Sequence, residues 1–190
     1  MRGNAKLQTI VERAATLLGT PIAAISVVDR DRQWFPASTG LGVDTTSRDL
    51  SFCAHAILNP DETFVVPDAT RDDRFADNHL VTSQPNIRFY AGAPILTEEG
   101  MPLGAICVID PASRRSLTPE QDAALKGLAA EAGEEIARIE NFRRFGPDAI
   151  ELIIGQIRTA AAREDEDLLI ALDRILQSVE RKLTGDDPGH

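Results

Sequence analysis

The chain has 190 residues, 43% apolar and 26% charged, which suits one well-cored domain with an extension and excludes a disordered or collagen-like polymer. Thirty acidic against twenty basic residues leave a formal charge of −10, which repels phosphate backbones and disfavours nucleic-acid binding. No apolar run approaches the ~20 residues of a membrane helix, the first residues lead into an amphipathic pattern rather than a leader, and two cysteines cannot build a disulfide framework, so a cytoplasmic protein without a membrane partner is expected.

The first predicted helix covers residues 7–18, where Leu7, Ile10, Val11, Ala14, Leu17 and Leu18 recur at spacings of three and four. Gly19 ends it and Pro21 prevents its continuation. Residues 22–29 read as a buried strand that turns through Asp29, Arg30 and Asp31 into a partner at 33–37. So tight a turn makes the pair antiparallel, and Pro36 demands an edge position or a bulge. Residues 40–51 are polar and rich in Gly, Thr and Asp, hence a loop. A short helix at 52–58 and a short strand at 63–66, ended by Pro67, follow. Residues 68–84 have no strong period and read as a long loop with one helical turn at 75–80; loops of that length are usually functional. Strands return at 87–96 and 103–110, joined by a turn with Glu98, Glu99 and Gly100.

Thr118 as cap, Pro119 at the first helical position and Gln121 completing a capping box then start a helix expected to reach about Phe145. Leu125, Leu128, Ala132, Ile139 and Phe142 lie on its heptad-like seam with Ile136 beside them, and Glu135 interrupts it. Gly146 and Pro147 break the pattern. Beyond them Ile150, Ile153, Ile154, Ile157 and Ala161 make a second stripe, and the acids at 164–167 suit another helix N-terminus. Leu169, Leu172, Leu176, Val179 and Leu183 form an a/d seam. The expected organisation is a domain at 1–145, a helical hairpin or stalk at 146–184, and a disordered tail at 185–190.

Four blocks carry a family resemblance: Phe52-Cys53-Ala54-His55-Ala56-Ile57; Val66-Pro67-Asp68-Ala69-Thr70 with Asp73-Arg74-Phe75 and Asn78; Phe89-Tyr90-Ala91-Gly92-Ala93-Pro94; and Pro102-Leu103-Gly104-Ala105-Ile106-Cys107-Val108-Ile109-Asp110. In order and spacing they resemble the GAF domain family, in the form common in bacterial sensor histidine kinases and diguanylate cyclases. The likeness covers residues 5–144. It implies an α+β, GAF/PAS-like fold with a central antiparallel sheet of about six strands. The terminal helices would lie on one face, with loops and short helices enclosing a pocket on the other. It also implies a sensory, small-molecule-binding and dimerising module of signal transduction, working with a partner such as a kinase or cyclase.

Seven of the nine aromatic residues lie between Trp34 and Tyr90, so the middle of the chain holds the rings that would line a ligand cavity or fill a core. The candidate pocket residues there are Phe52, Cys53, His55, Phe64, Asp68, Arg74, Phe75, Arg88, Phe89 and Tyr90, with Cys107 further on. Cys53 and His55 are two apart on a helix, about 200 degrees around its axis, so they point to opposite faces and lack the other ligands of a zinc site. His79 and His190 add no ligand spacing, and neither a metal nor haem is expected. Asp68, Asp72 and Asp73 read as solvated carboxylates capping a turn, with Arg74 paired to one of them or, like Arg88, available to an anionic ligand.

Some GAF proteins reduce free methionine sulfoxide. The attacking cysteine of those enzymes would fall just ahead of Pro94, where this chain has Phe89, Tyr90 and Ala91. A bilin is not expected either, because Ala54 separates Cys53 from His55, and no Asn-Lys pair of the cyclic-nucleotide type exists. The expectation is therefore a non-enzymatic sensor, with a ligand-free interaction scaffold as the alternative and a thiol enzyme third. Leu125, Leu128, Ile136 and Ile139, together with the seam from Leu169 to Leu183, are the candidates for pairing with a second copy into a homodimer.

Overall fold

The computed structural model describes residues 3–145 together with Ile170 and Gln177. The helix α1, Ala5–Leu18, begins at Asn4, whose Oδ1 accepts from the Leu7 N–H at 2.9 Å. It ends at Gly19, which takes the left-handed conformation (φ 59°, ψ 42°) while the Thr20 N–H reaches back to the Ala15 carbonyl at 3.0 Å. Leu7, Ile10, Val11, Ala14 and Leu18 are buried on its inner stripe. Leu17, expected on that stripe, is 48% exposed, because it sits one residue from Leu18 and so about 100 degrees around the axis.

Six strands form one antiparallel sheet in the order β3-β2-β1-β6-β5-β4. They are β1 Ile22–Val28, β2 Arg32–Thr39, β3 Thr45–Ser47, β4 Phe64–Val66, β5 Phe89–Leu96 and β6 Pro102–Asp110. The central pair runs in unbroken register from Ile22 opposite Ile109 to Val27 opposite Gly104. Of the edge position and the bulge open to Pro36, the bulge is the one present: Ile25 pairs with Ala37 but Val27 with Trp34, leaving Phe35 and Pro36 together opposite Ser26, and β2 lies inside the sheet. The strand β3 lies inside the expected 40–51 loop. Three residues without an apolar period give no strand signal, and their partners are only Arg32, Gln33 and Trp34.

The remaining helices are α2, Phe52–Ala56, α3, His79–Thr82, and α4, Pro119–Phe145. The single helical turn expected at 75–80 falls later, because Asn78 is its cap and accepts from the Leu80 N–H at 2.9 Å. The helix α4 starts on the expected capping box: the Gln121 N–H donates to Thr118 Oγ1 at 3.2 Å and the Thr118 N–H to Gln121 Oε1 at 3.0 Å.

Strand alternation divides the interior into two layers. Ala23, Ile25, Phe89, Ala91, Ala93, Ile95, Ile106 and Val108 are buried on the face under α1. On α4, Gly133 approaches β5 so closely that a Cβ there would lie 2.9 Å from the Leu96 carbonyl. Arg13 on α1 pairs with Glu131 on α4 through Nη1 to Oε2 at 2.6 Å. The interrupting Glu135 is fully buried, taking a 2.8 Å hydrogen bond from Asn4 Nδ2 and an ion pair with Lys6 at 3.4 Å. Leu125 and Leu128, expected to face a second copy, are 0% and 3% exposed, so they fill the chain's own interior. Ile136 is buried too, and Ile139 is half-buried.

The chain divides into two compact units, Met1–Glu135 and Ile136–His190. The hairpin or stalk at 146–184, the tail, and Leu169, Leu172, Leu176, Val179 and Leu183 lie outside the described residues. No helix among the described residues is long and apolar enough to cross a membrane.

Candidate functional site

The other face of the sheet carries Ile22, Ala24, Tyr90, Ala105, Cys107 and Ile109 and is covered by short elements instead of long helices. The cover is α2, α3, the 40–43 loop and the segment leading to β5. These pieces do not fill the layer, and a cavity of about 450 Å³ remains. Phe35, Phe52, Leu80, Ile87, Tyr90 and Ile109 form its apolar walls, while Gly40, Gly42, Val43 and Gln84 are exposed and mark its solvent side. Cys53, Cys107 and Ala24 are the buried small residues of its closed end.

One polar knot opens on this cavity. Gln33, 4% exposed in β2, accepts at Oε1 from Ser51 Oγ at 2.6 Å and from Ser26 Oγ at 2.9 Å, and donates from Nε2 to Thr46 Oγ1 at 2.7 Å. Its amide joins the knot to the helix cap. Ser51 Oγ accepts from the Ala54 N–H at 2.9 Å and gives its own proton to the Gln33 oxygen, while the Gln33 nitrogen is turned to Thr46. That leaves a second amide hydrogen on Gln33 and the hydroxyl proton of Thr46 as donors at the cavity wall. Gln33 and Thr46 went unnoticed in the sequence. The signals were Ser26 inside an otherwise apolar strand and Ser51 just ahead of a helix.

Two cysteines and a tyrosine meet at the closed end. Tyr90 Oη donates to Cys53 Sγ at 3.2 Å. The Cys107 thiol first, and then the Tyr90 hydroxyl, lower the pKa of Cys53 from its ordinary value against its burial. The interaction with Cys53, then burial, pushes Cys107 well up, and burial above all raises Tyr90. Both cysteines are free thiols.

Of the eleven expected pocket residues, Phe52, Cys53, Tyr90 and Cys107 line the cavity. Phe89 does not, because it alternates with Tyr90 to the other face, where the Arg114 guanidinium lies 5.5 Å from its ring centroid. Arg88 is turned to the backbone, donating to the Val81 carbonyl at 2.9 Å. Asp68 caps a short turn by accepting from the Thr70 N–H at 3.1 Å. His55, Phe64, Arg74 and Phe75 form a separate cluster. Phe75 stacks on Phe52 at 3.9 Å between centroids, His55 meets the Phe75 edge at 4.8 Å, and Arg74 lies over Phe64 at 4.8 Å. Asp72 engages Arg74 Nε at 2.8 Å and Nη2 at 2.6 Å, which lowers the carboxyl's pKa through that hydrogen bond. These contacts join the 72–75 turn to α2, outside the lining of the cavity. Among the described residues no group of three or more His, Cys, Asp or Glu is placed to hold a metal.

The family model described as GAF domain matches residues 4–136. A cyclic di-GMP phosphodiesterase of Pseudomonas aeruginosa, PA2567, is 49% identical over 122 residues, 64% of this chain and 21% of its own length. The chain thus spans about a fifth of that relative. The GAF domain of an Acinetobacter phosphoenolpyruvate-protein phosphotransferase superposes with a TM-score of 0.59 at 18% identity, covering 70% of this chain and 81% of its own. A type II free methionine-R-sulfoxide reductase of Thermoplasma acidophilum does so with a TM-score of 0.56 at 14% identity, covering 68% and 89%. These two likenesses are of fold.

Proposed function

This chain belongs to the GAF domain family, and we infer that it is a sensory module of signal transduction whose small-molecule ligand occupies the cavity beneath the sheet. The observation that carries the reading is the 450 Å³ cavity with apolar walls and, at its side, a polar knot that keeps donors of Gln33 and Thr46 for the cavity. A hollow of this size in an otherwise close-packed domain costs dispersion contacts, and filling it with a ligand restores them. Ligand binding would then bias the packing of the short cover elements, the kind of two-state change a partner can read. The reading involves no turnover by this chain. The phosphodiesterase activity is that of the relative, most of whose length lies outside the match. A bacterial, cytoplasmic setting, a kinase or cyclase as partner and assembly into a homodimer complete the reading, and the domain would end near residue 145 with the extension beyond it.

The test is native mass spectrometry of protein purified without denaturation. A bound mass that is released on unfolding is expected. Ala24→Leu, which fills the closed end, should abolish the bound mass and raise the melting temperature. A wild type that carries nothing and gains no stability from any cell extract would turn the reading to a ligand-free scaffold, and a bound mass undiminished by Ala24→Leu would place the ligand elsewhere.

A further inference from the structure

Ligand sensing leaves two buried thiols unexplained, and the fold brings them to one place. Cys53 is in α2 and Cys107 in the middle of β6, 54 positions on, yet both line the cavity, with 3% and 1% exposure. Register and a hydrogen bond connect them through Tyr90. Gly92 is the cross-strand partner of Cys107. The Tyr90 ring leans over Gly92 so closely that a Cβ there would collide with Tyr90 Oη. The hydroxyl is therefore held beside the Cys107 position, and from there it donates to Cys53 Sγ at 3.2 Å. Glycine at 92 is what permits this arrangement.

We propose that Cys53 and Cys107 form an oxidative modification site, at which a hydroperoxide entering the cavity converts the two thiols into one disulfide. The cavity, about 450 Å³, is many times the ~30 Å³ that a water molecule occupies, so hydrogen peroxide fits with room to spare. Cys53 is the attacking sulfur, because the Tyr90 hydroxyl points a donor at it, and the neighbouring Cys107 thiol favours its thiolate as well. Its sulfur takes the terminal peroxide oxygen, the O–O bond breaks, and the departing hydroxide leaves as water with the proton that Cys53 gave up. Cys107 then attacks the Cys53 sulfenic sulfur. The S–S bond forms, the S–O bond breaks, and the second hydroxide leaves as water with the Cys107 proton. Two thiols lose two electrons and two protons, and the peroxide takes up both. The buried, high-pKa Cys107 suits the resolving role, which needs proximity more than a standing thiolate.

The experiment treats the full reduced chain with a modest excess of hydrogen peroxide and reads the denatured intact mass and a non-reducing peptide map. The expected product is lighter by about two hydrogens, carries a Cys53–Cys107 linked peptide, and returns to the starting mass with dithiothreitol. Cys107→Ser should stop at a Cys53 sulfenic acid that dimedone traps. Tyr90→Phe keeps the ring and should slow oxidation several-fold. Inert thiols in the wild type, over-oxidation of Cys53 without the linked peptide, or linkage only between two chains would each overturn the proposal, and none of these readings depends on a variant folding.

Discussion

The two faces of this sheet are built from alternate residues of the same strands, yet one is solid and the other hollow. Under α1 the layer is filled by side chains of near-zero exposure, among them Leu7, Ile10, Val11, Ile25, Ile95 and Ile106, with Leu125 of α4 equally buried. On the other face, equally apolar strand residues look onto a cavity. The difference lies in the cover. The 14-residue α1 presents a continuous stripe that can follow a twisted sheet, and α4 adds the buried side chains Leu125, Leu128, Ala129 and Ala132. Helices of five and four residues joined by loops must spend their polar backbone on caps and turns, and cannot close over the same area. Rings compensate in part: Phe52 and Phe75 stack, with Tyr90 tilted against Phe52 at 5.1 Å. What they leave is the site.

The largest expected effect tests this contrast directly. Leu125→Ala removes a fully buried side chain from a filled interior and should cost about 2–5 kcal/mol in urea unfolding. Ile109→Ala, of comparable size and 6% exposed, should cost less, because one side of Ile109 already faces the cavity and makes fewer contacts there. Equal losses at the two positions would mean that the cavity is filled in solution and the contrast between the faces is wrong.

A smaller effect probes the polar group within the solid face. Asn4 does two jobs, capping α1 through Oδ1 and donating to the buried Glu135 through Nδ2. Asn4→Ala should therefore cost more than the ~1 kcal/mol of an ordinary lost cap, by roughly a further 1–2 kcal/mol for the missing donor to a buried carboxylate. Asn4→Asp restores the cap but sets a second carboxylate against Glu135. It should be no better than alanine in thermal unfolding, and recovery of wild-type stability by aspartate would show that the cap alone matters.

The solid face was the legible one. Its helices announce themselves by stripes and caps: Gly19, Thr118, Pro119 and Gln121 act at the positions where their chemistry predicts. Its central strands are long apolar runs, and even the bulge at Pro36 follows from a missing N–H. The two faults there, at Leu17 and in the assignment of Leu125 and Leu128 to a second copy, come from one cause. A stripe says that a side chain is buried and does not say against what. The hollow face was legible only as a concentration of rings. Which rings reach the cavity depends on strand phase, and so Tyr90 lines it while Phe89, its neighbour in sequence, does not. Gln33, Thr46 and Leu41 carry no local signal, because their role arises from contacts between β2, β3, a loop and the cap of α2. Charged residues misled for a related reason. Arg74 and Asp68 find partners two residues away and Arg88 one seven residues away, in the turns that build the cover, and none lines the cavity.

The smallest expected effect concerns His55, which belongs to the hollow face but lies outside the cavity, against Phe64 and Phe75. Burial first, and then the charge of Arg74, lower its pKa, with Asp72 opposing. The folded chain thus holds a proton on His55 less tightly than the unfolded chain, in which the imidazole titrates near 6.5. Below about pH 6.5 the unfolded state binds more protons, so the stability present at higher pH drains away as the pH falls through the unfolded and then the folded pKa. His55→Gln keeps a planar polar group and removes the titration. Urea midpoints measured from pH 7.5 down to 5 should fall more steeply for the wild type than for the variant, while above pH 7 the pH dependence of the two should run parallel. Identical slopes throughout would mean that the imidazole is as well solvated in the folded chain as in the unfolded one, and that this part of the cover is looser than its ring stacking suggests.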